Sequence, residues 1–544
     1  MTGHLCEHSR SLFCIRDVSS VHGRGQSSIS LCLIALISAC LVRAVPVGAQ
    51  PADFVRRSGG SLMLKGNPFR FAGTNAYYLM VAAARGDSSA VRDVLVQARS
   101  LNMSVVRTWA FHDSPDSLNP TVIQYRPGAY NESALRALDF VVHEAAEHNI
   151  RVILTLVNSW DDFGGMNQYV RWRSASAPHD GKPEMERYTT AEQERTVIGQ
   201  QGRSYRVALS GGFGHDDFYR DPVIRRWFQD YCAAVVNRVN TRTGRRYRDE
   251  PAILGWELAN EPRSSDRSGM LVNTWMAEMS SFLKGIDTAH LVSTGEEGFD
   301  TSPGGYTTSL YSHQSWLFDG TSGVSFRLNS ALPCVDLASI HLYPEFWNIP
   351  AGSGNAWISD HTALASRLTK PLLLGEFGVR TSRAATYSSW MTTARLQGAA
   401  GALVWQLLDH NRFDPEGFGI RCPDDQEVCD VLATEAAAMM LPPGSNEILP
   451  ELVVRQNYPN PFNGVTTIEY QLPSDARVVL SVWNTLGQRV STLVEGVQTA
   501  GLRKELLDAH SLATGVYFYR LLYEPLDSPG RKVYSESRGL VILK

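Results

Sequence analysis

Residues 253–263 read ILGWELANEPR, and this stretch decides the fold prediction. An apolar, β-rich run over 253–258 ends in the polar group Asn260-Glu261-Pro262. Polar side chains at the C-terminal end of an apolar strand are typical of a (β/α)8 barrel, because every strand end there faces one shared opening. A second stretch of this kind, residues 371–378, reads PLLLGEFG and contains Glu376 at its polar end.

Outward from these two stretches, short apolar runs alternate with helical patterns. We predict eight strands, at 69–74, 104–109, 151–157, 253–258, 291–294, 337–342, 371–376 and 402–406. We predict helices between them, among them 89–101, 133–148, 223–239, 270–286, 363–368 and 386–397. This alternation indicates an α/β fold, a (β/α)8 TIM barrel. An open doubly wound sheet is disfavoured, since no glycine-rich phosphate loop follows the first predicted strand.

The two ends of the chain have residue patterns that differ from the strand–helix alternation of the predicted barrel. Residues 1–49 contain an apolar run at 29–42, with arginines before it and small residues after it, which predicts a secretory signal peptide. A lipoprotein-type processing site at Cys40 ranks second. The catalytic domain is then predicted at 50–441 and a breaker-rich linker at 442–451.

Residues 452–544 follow the predicted linker. We predict strands there at 467–471, 478–483, 515–522 and 539–543, which indicates a small all-β, sandwich-like C-terminal domain.

Composition narrows the class of protein. A formal net charge of −4 over 544 residues argues against a nucleic-acid binder, which usually carries a basic surface. No cysteine–histidine cluster has metal-site spacing, and neither a metal nor an organic cofactor is expected. Cys422 and Cys429 flank a short polar loop and are expected to form a disulfide in an oxidising compartment, with two unpaired thiols as the alternative.

The paired carboxylates point to glycoside hydrolysis. Breaking a glycosidic bond needs a proton for the leaving oxygen and a second carboxylate at the anomeric carbon. Strands four and seven lie across a barrel from each other, so Glu261 and Glu376 are expected to face one another over a cleft. Arg107, at the end of strand two, is expected to hold Glu376 ionised. Glu257, earlier on strand four, is interpreted as a solvated or ion-paired structural carboxylate.

At these residues the sequence resembles glycoside hydrolase family 5, and more narrowly its endo-β-1,4-mannanases of plant and fungal type. The matching stretches include residues 73–80 (GTNAYYLM), 106–109 (VRTW), 157–165 (VNSWDDFGG), 256–263 (WELANEPR), 295–299 (GEEGF), 341–344 (HLYP), 375–378 (GEFG) and 405–406 (WQ). The resemblance covers almost all of residues 51–441.

The resemblance implies a role for each matching position. Glu261 matches the acid/base and Glu376 the nucleophile of a retaining enzyme. A further group matches residues that line the subsite where the bond breaks, namely Arg107, Asn260, His341, Tyr343 and Trp405. Tyr343 is expected to donate a hydrogen bond to the nucleophile, and Trp405 to form the sugar platform. Trp160 and Trp172 are expected to extend the cleft.

The C-terminal domain resembles the sorting domain of the type IX secretion system. The stretches that carry this resemblance are 456–463 (QNYPNPFN), 486–490 (LGQRV) and 512–520 (LATGVYFYR). It implies export, with the secretion machinery as a partner and a location outside the cell or on its surface. The alternative from the residues alone is a carbohydrate-binding module. No nucleic acid and no stable membrane span are expected.

Together these features predict a secreted endo-β-1,4-mannanase that acts on β-mannan with retention of configuration. An endo-β-1,4-glucanase of the same family is the alternative enzyme, because mannose and glucose differ only in the orientation of the 2-hydroxyl. A catalytically inactive surface sugar-binding protein is the alternative from another class.

Overall fold

The computed structural model describes residues 53–176, 195–198, 204–207, 213–307, 314–441, 452–472, 475–499, 501–526, 533–535 and 537–544. The predicted signal peptide at 1–49 and the predicted linker at 442–451 lie outside these described residues.

Eight parallel strands form the central sheet. In chain order they are β1 (Phe71–Asn75), β2 (Val105–Trp109), β3 (Arg151–Thr155), β4 (Ile253–Glu257), β5 (Leu291–Ser293), β6 (Ala338–Leu342), β7 (Leu372–Phe377) and β8 (Gly401–Val404). Neighbouring strands pair from β1 to β5 and from β6 to β8, and β8 pairs with β1. A parallel bridge between Ser293 and Leu337 joins the remaining edge from β5 to β6. The predicted (β/α)8 barrel is confirmed.

Helices surround the barrel and follow the strands in sequence. The longer ones are Ser88–Ser100, Glu132–Glu147, Gly165–Ser176, Pro222–Val236, Met270–Ile286, Ser353–Arg367, Arg383–Gln397 and Gln426–Met439. Side-chain caps fix several of their starts, as where Asp221 accepts hydrogen bonds from the N–H groups of Val223 and Ile224. Among the described helices, none is long and apolar enough to cross a membrane.

A layer of apolar side chains fills the interior of the barrel. It takes one residue at or beside each strand, namely Phe71, Val105, Ile153, Leu254, Leu291, Leu337, Leu373 and Leu403. Leu62, from a short antiparallel sheet that precedes β1, and Val55, directly before that sheet, join the same cluster. A larger apolar cluster packs the helices around the strands. The interior of the barrel is therefore filled with side chains and is not a pore. An active site is expected at the C-terminal ends of the strands.

The C-terminal region is all-β, as predicted. One sheet contains Val453–Val454, Val465–Leu472 and Gly501–Asp508, and the other contains Ala476–Asn484, Arg489–Gln498, Gly515–Pro525, Val533–Tyr534 and Arg538–Ile542. The strands are antiparallel and share one apolar core, to which Ile468, Leu480 and Leu521 belong.

The expected disulfide between Cys422 and Cys429 is present. It joins the end of the loop that follows β8 to the first turns of the helix Gln426–Met439. Cys232, on the helix Pro222–Val236, is a free, buried thiol.

Candidate active site

The alternation of side chains along a strand directs several polar groups into the barrel. Residues two apart on a strand share a face. Val105 on β2 and Leu403 on β8 belong to the inner apolar layer. Arg107 and Trp405, two residues further along, therefore lie on the same inward face as Val105 and Leu403. The sequence thus stacks polar side chains directly above the apolar filling, at the C-terminal end of the barrel.

An irregularity in β7 places Glu376. The register of β7 shifts against both neighbours, between Ile340 and His341 on β6 and between Leu374 and Phe377 on β7 itself. A shift of this kind redirects the following side chain, and such irregularities are frequent beside active sites. Glu376 pairs in register with His341 and is buried.

Glu261 lies four residues after the end of β4 in an unusual backbone conformation. Its φ of 46° falls in the left-handed region, which side chains other than glycine rarely adopt. Its N–H donates to the carbonyl of Gly295 at 2.8 Å. Trp160 Nε1 donates to its Oε2 at 2.7 Å, and His341 Nδ1 lies 2.8 Å from its Oε1. Both carboxylate oxygens of Glu261 are therefore held.

Glu376 is contacted by Arg107 on β2, by His341 on β6 and by Tyr343 directly after β6. Arg107 Nη1 lies 2.5 Å from its Oε1, and the Tyr343 hydroxyl donates to its Oε2 at 2.7 Å. His341 Nδ1 lies 3.6 Å from the same Oε2.

His341 thus stands between the two carboxylates. One nitrogen of His341 and one oxygen from each of Glu261 and Glu376 all lie within 4.8 Å of one another, and all three side chains are buried. The two carboxylates thus lie close together, with His341 as a polar neighbour of both.

The electrostatics of the pair follow from burial and mutual charge. Burial, with the nearby Glu261 charge, raises the pKa of Glu376, although His341, Arg107 and the Tyr343 hydroxyl each act to lower it. Burial lowers the pKa of His341, but the charges of Glu376 and Glu261 outweigh burial and leave that pKa raised. His341 therefore holds its proton to a higher pH than a free imidazole does.

Arg107 connects Glu376 to residues of β4 and of the loop that follows it. Its Nε and Nη2 donate to Oε1 of Glu257 at 2.9 and 2.6 Å, and Nη2 also donates to Oδ1 of Asn260 at 2.7 Å. Thr155 donates to the same Glu257 oxygen. Glu257 is fully buried in this network and is therefore not a solvated carboxylate. Of the two interpretations from the sequence, the structural ion-pair partner is the one that fits.

Aromatic side chains and a pocket lie beside Glu376. The Trp405 and Tyr77 rings are stacked, with centroids 5.6 Å apart and planes 9° apart, and Trp405 Nε1 donates to Oε2 of Glu416 at 3.0 Å. The described residues that line the pocket come from β6, β7, β8 and the loops after them: Tyr343, Phe346, Glu376, Arg380, Trp405, Pro415, Glu416 and Phe418.

The structure brings together the sequence-predicted residues with one exception. Glu261, Glu376, Arg107, Asn260, His341, Tyr343 and Trp160 form one hydrogen-bonded or ion-paired cluster, and Trp405 lines the pocket with Glu376. Trp172 is the exception, since its ring packs on Tyr169 with centroids 5.4 Å apart. Among the described residues, no hydrogen bond or ring contact joins Trp172 to the cluster.

Sequence reasoning missed an ion pair that supports Glu261. Arg263 donates to both oxygens of Glu297 at 2.7 Å, and its guanidinium lies over the rings of Trp160 and Phe299, at 5.1 and 4.9 Å from their centroids. The motifs NEPR and GEEGF contain these residues, but nothing in either string indicates that they meet.

A (β/α)8 barrel with two facing carboxylates at the C-terminal ends of β4 and β7 defines a protein of the glycoside hydrolase class. Residues 52–397 match the profile described as GH family 5 beta-mannosidase-like. The chain belongs to glycoside hydrolase family 5, in its β-mannosidase-like group.

Relatives with known names agree with this membership. Mannan endo-1,4-beta-mannosidase 2 of Oryza sativa subsp. japonica is 37% identical over 395 residues, which cover 68% of this chain and 81% of the rice protein. Mannan endo-1,4-beta-mannosidase 5 of Solanum lycopersicum is 34% identical over 437 residues, which cover 75% of this chain and 95% of the tomato protein.

Solved structures show the same fold. The endo-beta-1,4-mannanase from Thermotoga petrophila superposes with a TM-score of 0.63 at 27% identity, covering 89% of this chain and 100% of that one. The endo-1,4-beta-mannanase from Rhizomucor miehei superposes with a TM-score of 0.58 at 33% identity, covering 71% of this chain and 99% of that one.

The C-terminal region matches a second family. Residues 456–528 match the secretion system C-terminal sorting domain. The resemblance to a type IX sorting domain is thereby confirmed, and the protein is directed to the outside of the cell or to its surface.

Proposed function

We propose that this chain is an endo-β-1,4-mannanase that hydrolyses internal bonds of mannan, glucomannan or galactomannan by double displacement with retention. The observation that carries the proposal is the approach of the Glu261 and Glu376 carboxylates within 4.8 Å, on either side of His341. Retaining enzymes have carboxyl groups about 5–5.5 Å apart, whereas inverting enzymes leave about 6.5–9.5 Å for a water molecule.

In the first step Glu376 is the nucleophile. Its carboxylate attacks the anomeric carbon, the bond from that carbon to the leaving oxygen breaks, and the Glu261 carboxyl gives its proton to that oxygen. Arg107 and Tyr343 each hold one oxygen of Glu376, so they orient the attack. Trp160 and His341 hold Glu261 toward the leaving group.

In the second step the roles of Glu261 reverse. Its carboxylate takes a proton from water, the water oxygen bonds to the anomeric carbon, and the ester bond to Glu376 breaks. Two inversions at one carbon give a product with the β configuration of the substrate. The strained backbone of Glu261, fixed by the carbonyl of Gly295, keeps its carboxyl in place for both proton transfers.

The mannan substrate is proposed from the named relatives. The rice and tomato relatives carry mannan endo-1,4-beta-mannosidase names, and the two superposed structures are titled as mannanases. The test measures the release of reducing ends from mannan, glucomannan and carboxymethylcellulose by the purified protein. Faster release from mannan than from carboxymethylcellulose is expected, and the reverse order favours the alternative of an endo-β-1,4-glucanase.

The inactive sugar-binding alternative predicts the loss of at least one reacting carboxylate. Both are present, and each is held by side chains from other strands. The test is the release of reducing ends from mannan. An enzyme gives a rate that rises linearly with protein concentration and disappears in Glu376→Ala, whereas a binding protein gives no release.

A further inference from the structure

The barrel interior changes from apolar to polar between the inner apolar layer and His341. On β6, Leu337 belongs to the apolar layer, and Ser339 and His341 follow it at two-residue intervals on the same inward face. On β5, Ser293 follows Leu291 in the same way. Each of these two strands therefore places a small polar side chain beneath the level of the active-site histidine.

Gly375, on the neighbouring strand β7, keeps a position open beside these side chains. In the pairing of β6 with β7, Gly375 is the extra residue at the register shift, because it has no partner between Leu374 and Glu376. A Cβ on Gly375 would lie 2.7 Å from Oγ of Ser339 and 3.3 Å from Nε2 of His341. Hydrogen bonds between such atoms are about 2.7–3.2 Å long. One position beside the glycine is thus close to hydrogen-bond distance from both atoms.

The polar atoms at this level have no partner within the protein. In the part of the chain that the structure describes, neither Oγ of Ser339 nor Nε2 of His341 makes a hydrogen bond, and both side chains are fully buried. The same is true of Oγ of Ser293 and of Oε2 of Glu257, which pairs in register with Ser293 and is also buried. Buried polar atoms in folded proteins are almost always hydrogen-bonded, either to protein atoms or to ordered water. Atoms of this kind are the partners that an internal water molecule needs.

We propose that a water molecule bound by Ser339 beside Gly375 is the hydrogen-bond partner of His341 Nε2, and that Ser339 is thereby a positioning residue for the active site. When the ring is protonated, the water accepts a hydrogen bond from Nε2–H and donates one to the serine hydroxyl. When the ring is neutral, the same water donates to Nε2, so it serves both charge states.

The water fixes the histidine from the side opposite to the carboxylates. Nδ1 of His341 lies 2.8 Å from Oε1 of Glu261 and 3.6 Å from Oε2 of Glu376. With a partner at Nε2 as well, the ring is held at both nitrogens and keeps one orientation between the two carboxylates. The water site itself does not depend on the proposed hydrolysis, whereas its effect on the rate rests on that proposed function.

A crystal structure at a resolution that shows ordered water tests the site directly. Density for a water within about 3.2 Å of both Oγ of Ser339 and Nε2 of His341 is expected. In Gly375→Ala the added methyl group occupies this position, so the density is expected to disappear. A protein atom bonded to Nε2, or no density at this position in the unmodified protein, overturns the proposal.

The ring nitrogens of His341 report on the water in solution. In protein prepared with isotopically labelled histidine, the resonances of this residue are assigned by their loss in His341→Gln. The Nε2 resonance is expected to shift in Ser339→Ala and in Gly375→Ala, because each variant removes or weakens the binding of the water. Ser330→Ala is the matched control and is expected to leave the resonance in place. Ser330 is a buried serine at the end of the short helix Phe326–Ser330, and its hydroxyl likewise has no partner among the described residues.

Steady-state kinetics on mannan measure the consequence for the reaction. Ser339→Ala is expected to lower kcat about tenfold with little change in KM, because the histidine beside Glu261 loses its fixed orientation while no sugar contact is removed. A kcat equal to that of Ser330→Ala overturns the positioning role, and an Nε2 resonance that is unchanged in both Ser339→Ala and Gly375→Ala overturns the water site. Failure of the proposed function is distinguishable, because the water density and the nitrogen resonances are measured without substrate.

Discussion

The indole Nε1–H of Trp160 donates a hydrogen bond of 2.7 Å to Oε2 of Glu261, and Arg263 lies over the face of the same indole. Glu261 is therefore positioned by an aromatic side chain that is itself held by the Arg263–Glu297 ion pair. Trp160, predicted only to extend the cleft, contacts the Glu261 carboxyl directly.

Trp160→Phe removes this hydrogen bond and keeps an aromatic ring. We expect kcat/KM for mannan to fall about tenfold, because the buried Glu261 carboxyl loses a partner and is no longer held toward the leaving oxygen. An aryl glycoside with an activated leaving group needs little protonation and is expected to lose much less. Trp172→Phe is the matched control, with a small effect on both substrates. Equal losses on both substrates in Trp160→Phe contradict the positioning of the acid.

Tyr343→Phe is expected to change the pH dependence of the enzyme. The Tyr343 hydroxyl lowers the pKa of Glu376, so its removal raises that pKa further. A nucleophile must be ionised, and the acidic limb of the kcat/KM profile is therefore expected to move to higher pH. Steady-state rates on mannotetraose across the pH range measure the limb. Tyr387→Phe, whose hydroxyl donates to the Val379 carbonyl, is expected to leave it in place. A limb that does not move in Tyr343→Phe refutes the assignment.

Glu296 is expected to make folding stability depend on pH. Burial raises the pKa of this carboxyl to about 8, and Asn329 donates its hydrogen bond to Oε2. Between the ordinary value of 4.5 and about 8 the folded state thus binds the proton that the unfolded state has lost. Its stabilising contribution is present below that range and is lost as pH rises through it, by on the order of a few kcal/mol.

Glu296→Gln is neutral at every pH and removes this dependence. We expect the urea midpoint, followed by fluorescence, to fall less between pH 5 and pH 8 in the variant than in the unmodified protein. Glu147→Gln changes an exposed glutamate on an outer helix and serves as the control. Parallel declines in all three proteins would falsify the account of Glu296.

Deletion of residues 446–544 is expected to separate export from catalysis. All proposed catalytic residues lie in the barrel, so hydrolysis of soluble manno-oligosaccharides by purified protein should be unchanged. Release to the outside of the cell should be lost, because the sorting domain is removed. A selective loss on insoluble mannan would instead support a carbohydrate-binding module, which raises the local enzyme concentration on a polymer.

The barrel was predictable because each strand is a short apolar run with a polar end. All eight predicted strands overlap the observed ones, with boundaries that differ by at most two residues. The positions of Glu261 and Glu376 at the C-terminal edge of the barrel were predictable for the same reason, since each lies at or just after the polar end of an apolar run. The motifs could not predict the contacts between residues of different strands. An example is His341, which lies close to both Glu261 and Glu376.

Packing explains the elements that were predicted poorly. The helix Ser353–Arg367 begins ten residues before the predicted start at 363, in a segment with poor helix formers. Gly354 lies against the indole of Trp390, where a Cβ would come within 2.3 Å of Nε1, so tertiary packing selects a residue that propensity disfavours. The strand Arg489–Gln498 was missed because neither of its faces is fully buried and its sequence does not alternate.

The configuration of the product that azide forms with Glu376→Ala tests the central claim. The fold is expected to survive, because Arg107 keeps its ion pair with Glu257. With an activated aryl β-mannobioside, azide enters the space that the carboxylate vacates, restores part of the lost rate and is expected to give the α-glycosyl azide, identified by NMR. A β-glycosyl azide would contradict the account, because it would make Glu376 the acid/base and not the nucleophile.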